Sequence, residues 1–515
     1  MLLNKGGGAI RRAAALGPDV TLRPQTEIAP EQVEQGKRAL IHDGAWANVV
    51  GALTSGVLLV GFALALGASD QIIGILAAIP FITQLAQLPA IRLITALRRR
   101  KAITVIASTS GRVLLVLIAL LPFLPERDLA LALLIGGQFA VCALSAVGGC
   151  AWNSWIHDLL PKQGLGEFFA RRLFWSTATG MVASLLAGWV INRASGLFGE
   201  EHAIYAYSVI SLLGAAAGFT SSWWLTRVPE PRMPPPDPAA RPALLAMLRA
   251  PLRDPNFRRL IIFMVAWNFA TNIAAPFIPV YIVQQLGYDL GFVVLLAVLS
   301  QLANVTTLHL WGLIADRFSS KSVLAVAAPV FLACIFALPY THTPERHALT
   351  MPMLVVLHLL MGGAAAGVGL GTGTIGIKLA RNEDATAFLA ALGLFGSLAA
   401  GIAPIVGGAL SQWFADKELS LLFHWRTMAL ATDVVALRLR HWDFFFAIAF
   451  LLGLYAIFRL DKVREEGEVD QREVAREFML EAQRSIRNLS TVAGLRVLTR
   501  APFGRLAGGS RHEPG

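Results

Sequence analysis

Arg112 stands in "ASTSGRVLLV", about ten residues inside an apolar run, roughly 15 Å along a helix at 1.5 Å per residue. A guanidinium at that depth can meet a carboxylate or phosphate through two parallel hydrogen bonds. It can instead bridge neighbouring helices through Gln84, Gln87, Gln138 or carbonyls of adjacent helices. His358, within another apolar run, can carry a proton or act as a neutral hydrogen-bonding core residue. Asn48, Trp267, Asn268 and Asn272 offer amides and a ring face to a polar solute, although Asn also joins helix to helix. Other chemistry lacks its pattern. Cys142, Cys150 and Cys334 lie in apolar runs without metal or disulfide spacing. His157 and Asp158 adjoin without a nucleophile, and no glycine-rich phosphate loop occurs. The expectation is no enzyme activity, no cofactor and no metal.

A second kind of site is the charged junction "GLIADRFSSK" at 312–321. Gly312 permits close helix approach at a membrane edge, and Asp316 is placed to cap the following helix or meet a basic neighbour. Arg317 and Lys321 suit anionic headgroups. A charged turn that only fixes topology would explain the basic residues but not the acid.

The elements that must position these residues are membrane helices. The chain has 515 residues, 55% hydrophobic and 15% charged, well below the ~25% charge of soluble domains. Twelve apolar runs fall near 44–66, 71–95, 102–124, 129–151, 173–194, 203–226, 259–286, 290–314, 321–340, 351–377, 386–413 and 442–460. Each can cross a hydrocarbon core of about 30 Å as a helix. The net charge of +11 is spread over short junctions between runs, which fits membrane topology and excludes a nucleic-acid face. Lys and Arg crowd the N-terminal arm and the even-numbered connections, placing both termini in the cytoplasm of an inner-membrane protein. The polar N-terminus lacks a signal-peptide core, so the first helix is expected to serve as an uncleaved insertion signal. The basic eleventh connection, near 414–441, departs from that bias and is expected to hold an interfacial helix.

The organisation follows: an arm at 1–40, a six-helix bundle at 41–226, a proline-rich linker at 227–258, a second bundle at 259–460 and a charged tail at 461–515. The tail reads as a helix ending in disorder. Lys101 and Lys321 stand 220 positions apart, as do Phe168 and Phe388, Gly188 and Gly408, and Asn48 and Asn268. One offset in separate regions argues for duplication of a six-helix unit. Gln138 and His358 are partners at that offset. The expected fold is an all-α polytopic membrane protein of two pseudo-symmetric six-helix bundles.

Six plus six helices with a long central connection resemble the major facilitator superfamily over about residues 40–460. The family's loop signature, G-x-L-a-D-r-x-G-r-k, is matched at Gly312, Ala315, Asp316, Arg317 and Lys321. Ile314 stands for its Leu, while Ser319 and Ser320 replace a glycine and a basic residue; in the first-half copy Ala96 takes the Asp position. The resemblance implies a central cavity lined by the first, fourth, seventh and tenth helices. Asn48, Gln138, Trp267, Asn268, Asn272 and His358 then become candidate substrate contacts. Its third helices are peripheral, which favours Arg112 as a bridge over Arg112 as a substrate ligand. Pro276, Pro279, Pro404 and "GGAAAGVGLGTGTIG" (362–376) mark helices that can kink or pack closely. The implied function is a monomeric secondary or facilitative transporter working by alternating access. Its solute is a small molecule, with a lean to anionic or amphipathic compounds, and protons or a counter-ion are optional partners beside the bilayer. A receptor or assembly factor on the same fold, without transport, is the alternative.

Overall fold

Twelve helices in the computed structural model are long and apolar enough to cross a membrane. The structure describes residues 22–161, 165–233, 244–342, 347–380, 385–426, 431–465, 474, 476–481 and 483. The far N-terminal arm, the centre of the proline-rich linker and the end of the tail lie outside the described residues.

In chain order the first six spans are α1 (Pro30–Ala65), α2 (Asp70–Leu97), α3 (Arg100–Phe123), α4 (Arg127–Leu159), α5 (Leu165–Phe198) and α6 (His202–Leu225). The second six are α7 (Pro255–Gln285), α8 (Leu290–Arg317), α9 (Ser320–Thr341), α10 (Thr350–Leu379), α11 (Ala387–Phe414) and α12 (Trp442–Asp461). Their ends follow local chemistry. Asp254 accepts the N–H groups of Asn256 and Phe257, both at 3.0 Å, ahead of Pro255 at the first position of α7. α1 starts well before the apolar run at 44–66 and breaks at Ser55 and Gly56, where Gly56 takes φ +58°, a region glycine enters without steric cost. In α7 a short 3-10 turn at Ala275–Phe277 and a π turn at Tyr281–Gln285 flank Pro276 and Pro279. The removed amide hydrogens and ring clashes of those prolines account for the irregularity.

The chain divides into two compact units, Met1–Arg241 with Ile282–Val294, and Pro242–Tyr281 with Leu295–Gly515. In the first, α1 packs along α5 and α6, α3 along α4, and α3 along α6. In the second, α7 packs along α11 and α12, α9 along α10, and α9 along α12. Adding six to each label of the first unit reproduces the second, so the repeat seen at offset 220 extends to helix pairing. Glycines make the tight places. A Cβ at Gly367 would meet Ala327 and Trp311 at 2.8 Å, and one at Gly371 would meet Leu324 at 2.6 Å. α10, which carries the glycine-dense stretch, runs without interruption, so these glycines serve close packing rather than a kink.

Two expectations change. The eleventh connection holds no helix among its described residues but an antiparallel hairpin, β1 (Glu418–Arg426) and β2 (Ala431–Arg440). Polar and apolar residues alternate at 418–421 and 423–426 of β1, while the apolar runs at 421–423 and 434–437 interrupt that period. The stretch expected as linker contains a ten-residue helix, Leu244–Arg253, immediately after the prolines.

Candidate functional site

In the first unit the basic end of α2–α3 is a buried hub at the side of the bundle that bears the N-terminus. Arg100 begins α3 and is 0% exposed. Its backbone N–H donates to Glu230 Oε1 at 2.6 Å, and its guanidinium donates to Ser154 O and Pro231 O, both at 2.9 Å, and to Asp158. Asp158, adjacent to His157, is therefore held by an arginine rather than free for chemistry. Glu230 is 1% exposed and lies five positions beyond the end of α6. Burial pushes its carboxyl above the usual carboxylate range, against the opposing pull of the Arg100 and Lys101 N–H groups. Gln25 joins the same knot, donating to Glu230 O at 2.8 Å and accepting from Arg232 N at 3.0 Å.

Deeper in that unit lies the charge that Arg112 faces. Asp43, one position before the apolar run at 44–66, is inside helix α1 and 4% exposed. It accepts Ser221 Oγ of α6 at 2.7 Å and Arg172 Nη2 of α5 at 3.3 Å. Arg112 of α3 is within electrostatic reach of the same carboxylate. The stem of Arg112 lies directly on Gly218 of α6, and its buried Nε has no hydrogen-bond partner. Gln84 and Gln87 pair with each other, and Gln138 donates to Cys142 Sγ at 3.7 Å. The glutamine bridge expected for Arg112 is thus absent among the described residues. Its stem packs on a glycine surface, and its guanidinium has no hydrogen bond or ion pair among the described residues.

Gln138 is 4% exposed and lines a cavity of about 20 Å³ with Leu53, Thr54, Tyr207 and Ser211, room for about one water. Asn48 donates to Ser176 O of α5 at 2.7 Å, and Gly180 leaves space for its amide. Asn48 therefore joins α1 to α5.

In the second unit α7 carries a short polar ladder. Asn268 donates to Met264 O and Asn272 donates to Asn268 O, both at 2.8 Å, with Thr271 Oγ1 donating to Trp267 O at 2.9 Å. All three side chains are half-buried, and the amide oxygens of both asparagines remain available as acceptors. Trp267 is buried, with its ring 6.1 Å from that of Phe331 of α9. His358 is buried on α10 with Nδ1 2.8 Å from Leu354 O, one helical turn back. A tautomer donating from Nδ1 suits that contact.

At the loop signature, Ser319 rather than Asp316 caps α9, its Oγ accepting Ser322 N at 3.0 Å. Asp316 is exposed and has no hydrogen-bond or ion-pair partner among the described residues. Its position precedes the N-cap by three residues, within the last turn of α8, which is why it cannot reach the following amides. Gly312 has open space where a Cβ would lie. Arg317 pairs with Glu477 of the tail at 2.9 Å, and Trp311 stacks on Phe478 with ring centroids 4.3 Å apart. Lys321 donates from Nζ to Val463 O at 2.6 Å and to Asp461 O at 3.1 Å. Glu465 accepts Ser320 N at 3.1 Å and Lys321 N at 2.7 Å, and it also meets Lys378 Nζ at 3.4 Å.

Sequence reasoning passed over Asp43, Arg100, Glu230 and Glu465. A signal for the two glutamates existed: each follows the last helix of its half by four or five positions. Among the described residues no three His, Cys, Asp or Glu side chains gather as a metal site. The described groups can bind an anion or a hydrogen-bonding solute, and they contain no nucleophile–base pair.

The sequence profile described as Major Facilitator Superfamily matches residues 44–404 and 295–506. No curated protein sequence matches the chain. Among solved structures, a mutant of the nucleoside transporter NupG is similar with a TM-score of 0.62 at 15% identity, over 83% of this chain and 100% of that one. A D-xylose-proton symporter is similar at 0.61 and 16%, over 85% and 100%. A POT family transporter in complex with 5-aminolevulinic acid gives 0.60 at 11%, over 87% and 100%. At these identities the likeness concerns the fold.

Proposed function

The chain belongs to the Major Facilitator Superfamily, and from that premise we propose that it moves a small anionic or amphipathic solute across the inner membrane by alternating access. The observation that carries the reading is the duplicated brace. In each half a glutamate just beyond the last helix accepts the first amides of the third helix, Glu230 at Arg100 and Glu465 at Ser320 and Lys321. Each bundle is thereby tied to itself, and large motion is left to the connection between them.

The lean to an anion rests on the interior of the first unit. Asp43 is paired with Arg172 at 3.3 Å, while the buried Arg112 guanidinium has no ion-pair partner among the described residues. Arg112 keeps unused donors. The Asn268 and Asn272 oxygens on α7 supply acceptors for hydroxyl or amine groups of a solute. Asn48, Gln138, Trp267 and His358 all have packing or hydrogen-bond roles that need no ligand, so they are second choices as contacts. The Lys and Arg bias of the connections supports cytoplasmic termini.

Uptake into proteoliposomes tests the reading. Anionic metabolites first selected by thermal shift should exchange across the bilayer with saturable rates. Saturable binding without turnover would instead favour the receptor alternative.

A further inference from the structure

The tail beyond α12 meets the second unit twice, and the two contacts differ in kind. The first, at 462–465, is tight. Asn256 at the start of α7 donates from Nδ2 to Arg464 O at 2.8 Å and accepts Arg464 N at 2.9 Å. Lys321 of α9 donates from Nζ to Val463 O, Glu465 accepts the Lys321 amide, and Lys378 of α10 meets Glu465. Val463 is fully buried. This stretch belongs to the fold of the unit.

The second contact, at 476–481, is loose. Glu477 takes the Arg317 guanidinium at 2.9 Å, yet the arginine side chain is 61% exposed. An exposed ion pair contributes little and is screened by salt. Phe478 stacks on Trp311 with ring centroids 4.3 Å apart. Met479 and Leu480 beside it remain exposed. A cleft of about 240 Å³ stays open between this segment and α8, lined by Leu313, Ile314, Arg317, Phe318, Glu477 and Glu481. A segment packed for stability would close such a space.

Trp311 makes the loose contact consequential. Its Nε1 donates to Gly363 O of α10 at 2.9 Å, and its ring fills the place that a Cβ at Gly367 would need. Phe478 therefore lies on the ring that already joins α8 to α10. Two adjacent tail residues thus hold both the arginine of the loop signature and the tryptophan that anchors the last turns of α8.

We propose that the tail segment at 476–481 is a releasable clasp on the end of α8. Docked, it holds the signature turn and the Trp311 anchor in one arrangement. Released, it frees Arg317 and lets the last turns of α8 open locally, while the contacts at 462–465 keep the root of the tail in place. Ionic strength sets the balance, because the ion pair is the part that salt screens.

The test is hydrogen–deuterium exchange on the full chain in mild detergent, read on peptides covering 476–481 and 311–318 at low and high salt. Wild-type protein should protect both at low salt, and high salt should speed exchange several-fold in both. Phe478→Ala and Glu477→Arg should exchange at the fast rate already at low salt. Combining Glu477→Arg with Arg317→Glu should regain most of the protection, which a tail that has merely unfolded could not do. Fast exchange at 476–481 in wild-type protein at low salt would mean that the segment does not dock. Protection indifferent to salt and to Phe478→Ala would mean a fixed part of the fold. Loss of tail protection without faster exchange at 311–318 would mean a clasp that restrains nothing. Any of these, or a charge swap that regains no protection, overturns the proposal.

Discussion

Glu230 and Glu465 are counterparts: each places a carboxylate on the first backbone N–H groups of a third helix, at 2.6 Å to Arg100 and at 2.7 Å to Lys321. A negative charge at a helix start satisfies orphan amides and complements the helix dipole. The two differ in what else depends on them. Glu230 also lies beside the fully buried Arg100 guanidinium, 3.9 Å from its Nε. Glu230→Ala should therefore cost about 3 kcal/mol, the scale for breaking a buried charge pair, whereas Glu465→Ala, which loses a cap and a pair to the 44% exposed Lys378, should cost less, about 1–2 kcal/mol. Denaturation of the purified variants in mild detergent reads both, and equal losses would contradict the distinction.

Glu230 also makes stability depend on pH. Its carboxyl is raised by burial, so the folded state binds its proton more tightly than the unfolded state does. That contribution is fully present below the ordinary value of 4.5 and is lost as pH rises through the raised value. Wild-type protein should gain stability over Glu230→Gln as pH falls from neutrality toward that range. Parallel melting curves for the two proteins across the range would remove Glu230 as the source.

Asp43 is paired with Arg172 and lies within electrostatic range of Arg112, so the three positions should respond unequally. Asp43→Leu leaves the Arg172 guanidinium without its counter-charge and should cost about 3–5 kcal/mol. Arg112→Leu leaves the Asp43–Arg172 pair at 3.3 Å intact and should cost less than half as much. The double variant should be milder than the sum of the singles, since it removes opposite charges together. A strictly additive cycle would show that Arg112 does not act on Asp43.

Arg112 has a second readout. If it also holds the anionic solute, Arg112→Leu should weaken binding about ten- to a hundredfold, the worth of one charge-assisted bidentate contact. Affinity measured on folded variant protein decides this, and an unchanged value would leave Arg112 to its partnership with Asp43.

Asp316 is exposed and without a partner among the described residues. Asp316→Asn should leave stability within about 0.5 kcal/mol of wild type, yet slow flux if the acid engages a partner in another state of the transport cycle. Wild-type flux would reduce it to a charged turn.

Much of this architecture was legible in the chain itself, for identifiable reasons. Lipid offers the backbone no partner but its own helix, so the twelve apolar runs translate directly into the twelve helices. Duplication left an offset that reappears in helix pairing. Helix starts were harder: α1 begins at Pro30, and its polar first half, of which Gly36, Ala39, Leu40 and Asp43 are the buried residues, reads in hydropathy as a soluble arm. Asp43 was hidden for the same reason. The hairpin was missed because a basic amphipathic stretch suits an interfacial helix as well as a strand pair, and the apolar runs at 421–423 and 434–437 blur any period of two. The spacing of each glutamate after the last helix of its half was readable, but its partner was not: Glu230 finds Arg100 across 130 positions, and no local pattern encodes that meeting.

The burial of Asp43 sets an order of events in biogenesis. Its ligands lie far downstream, Arg172 by 129 positions and Ser221 by 178. When the ribosome has delivered only α1, the carboxylate has neither and must stay at the aqueous edge of the translocon, holding the lower half of that helix out of the bundle. Only after α5 and α6 have threaded into the bilayer can α1 settle to its final depth. Maturation of the first unit thus ends with the segment that was synthesised first, and a ribosome stalled before α6 would leave a nascent protein whose leading helix is still unseated.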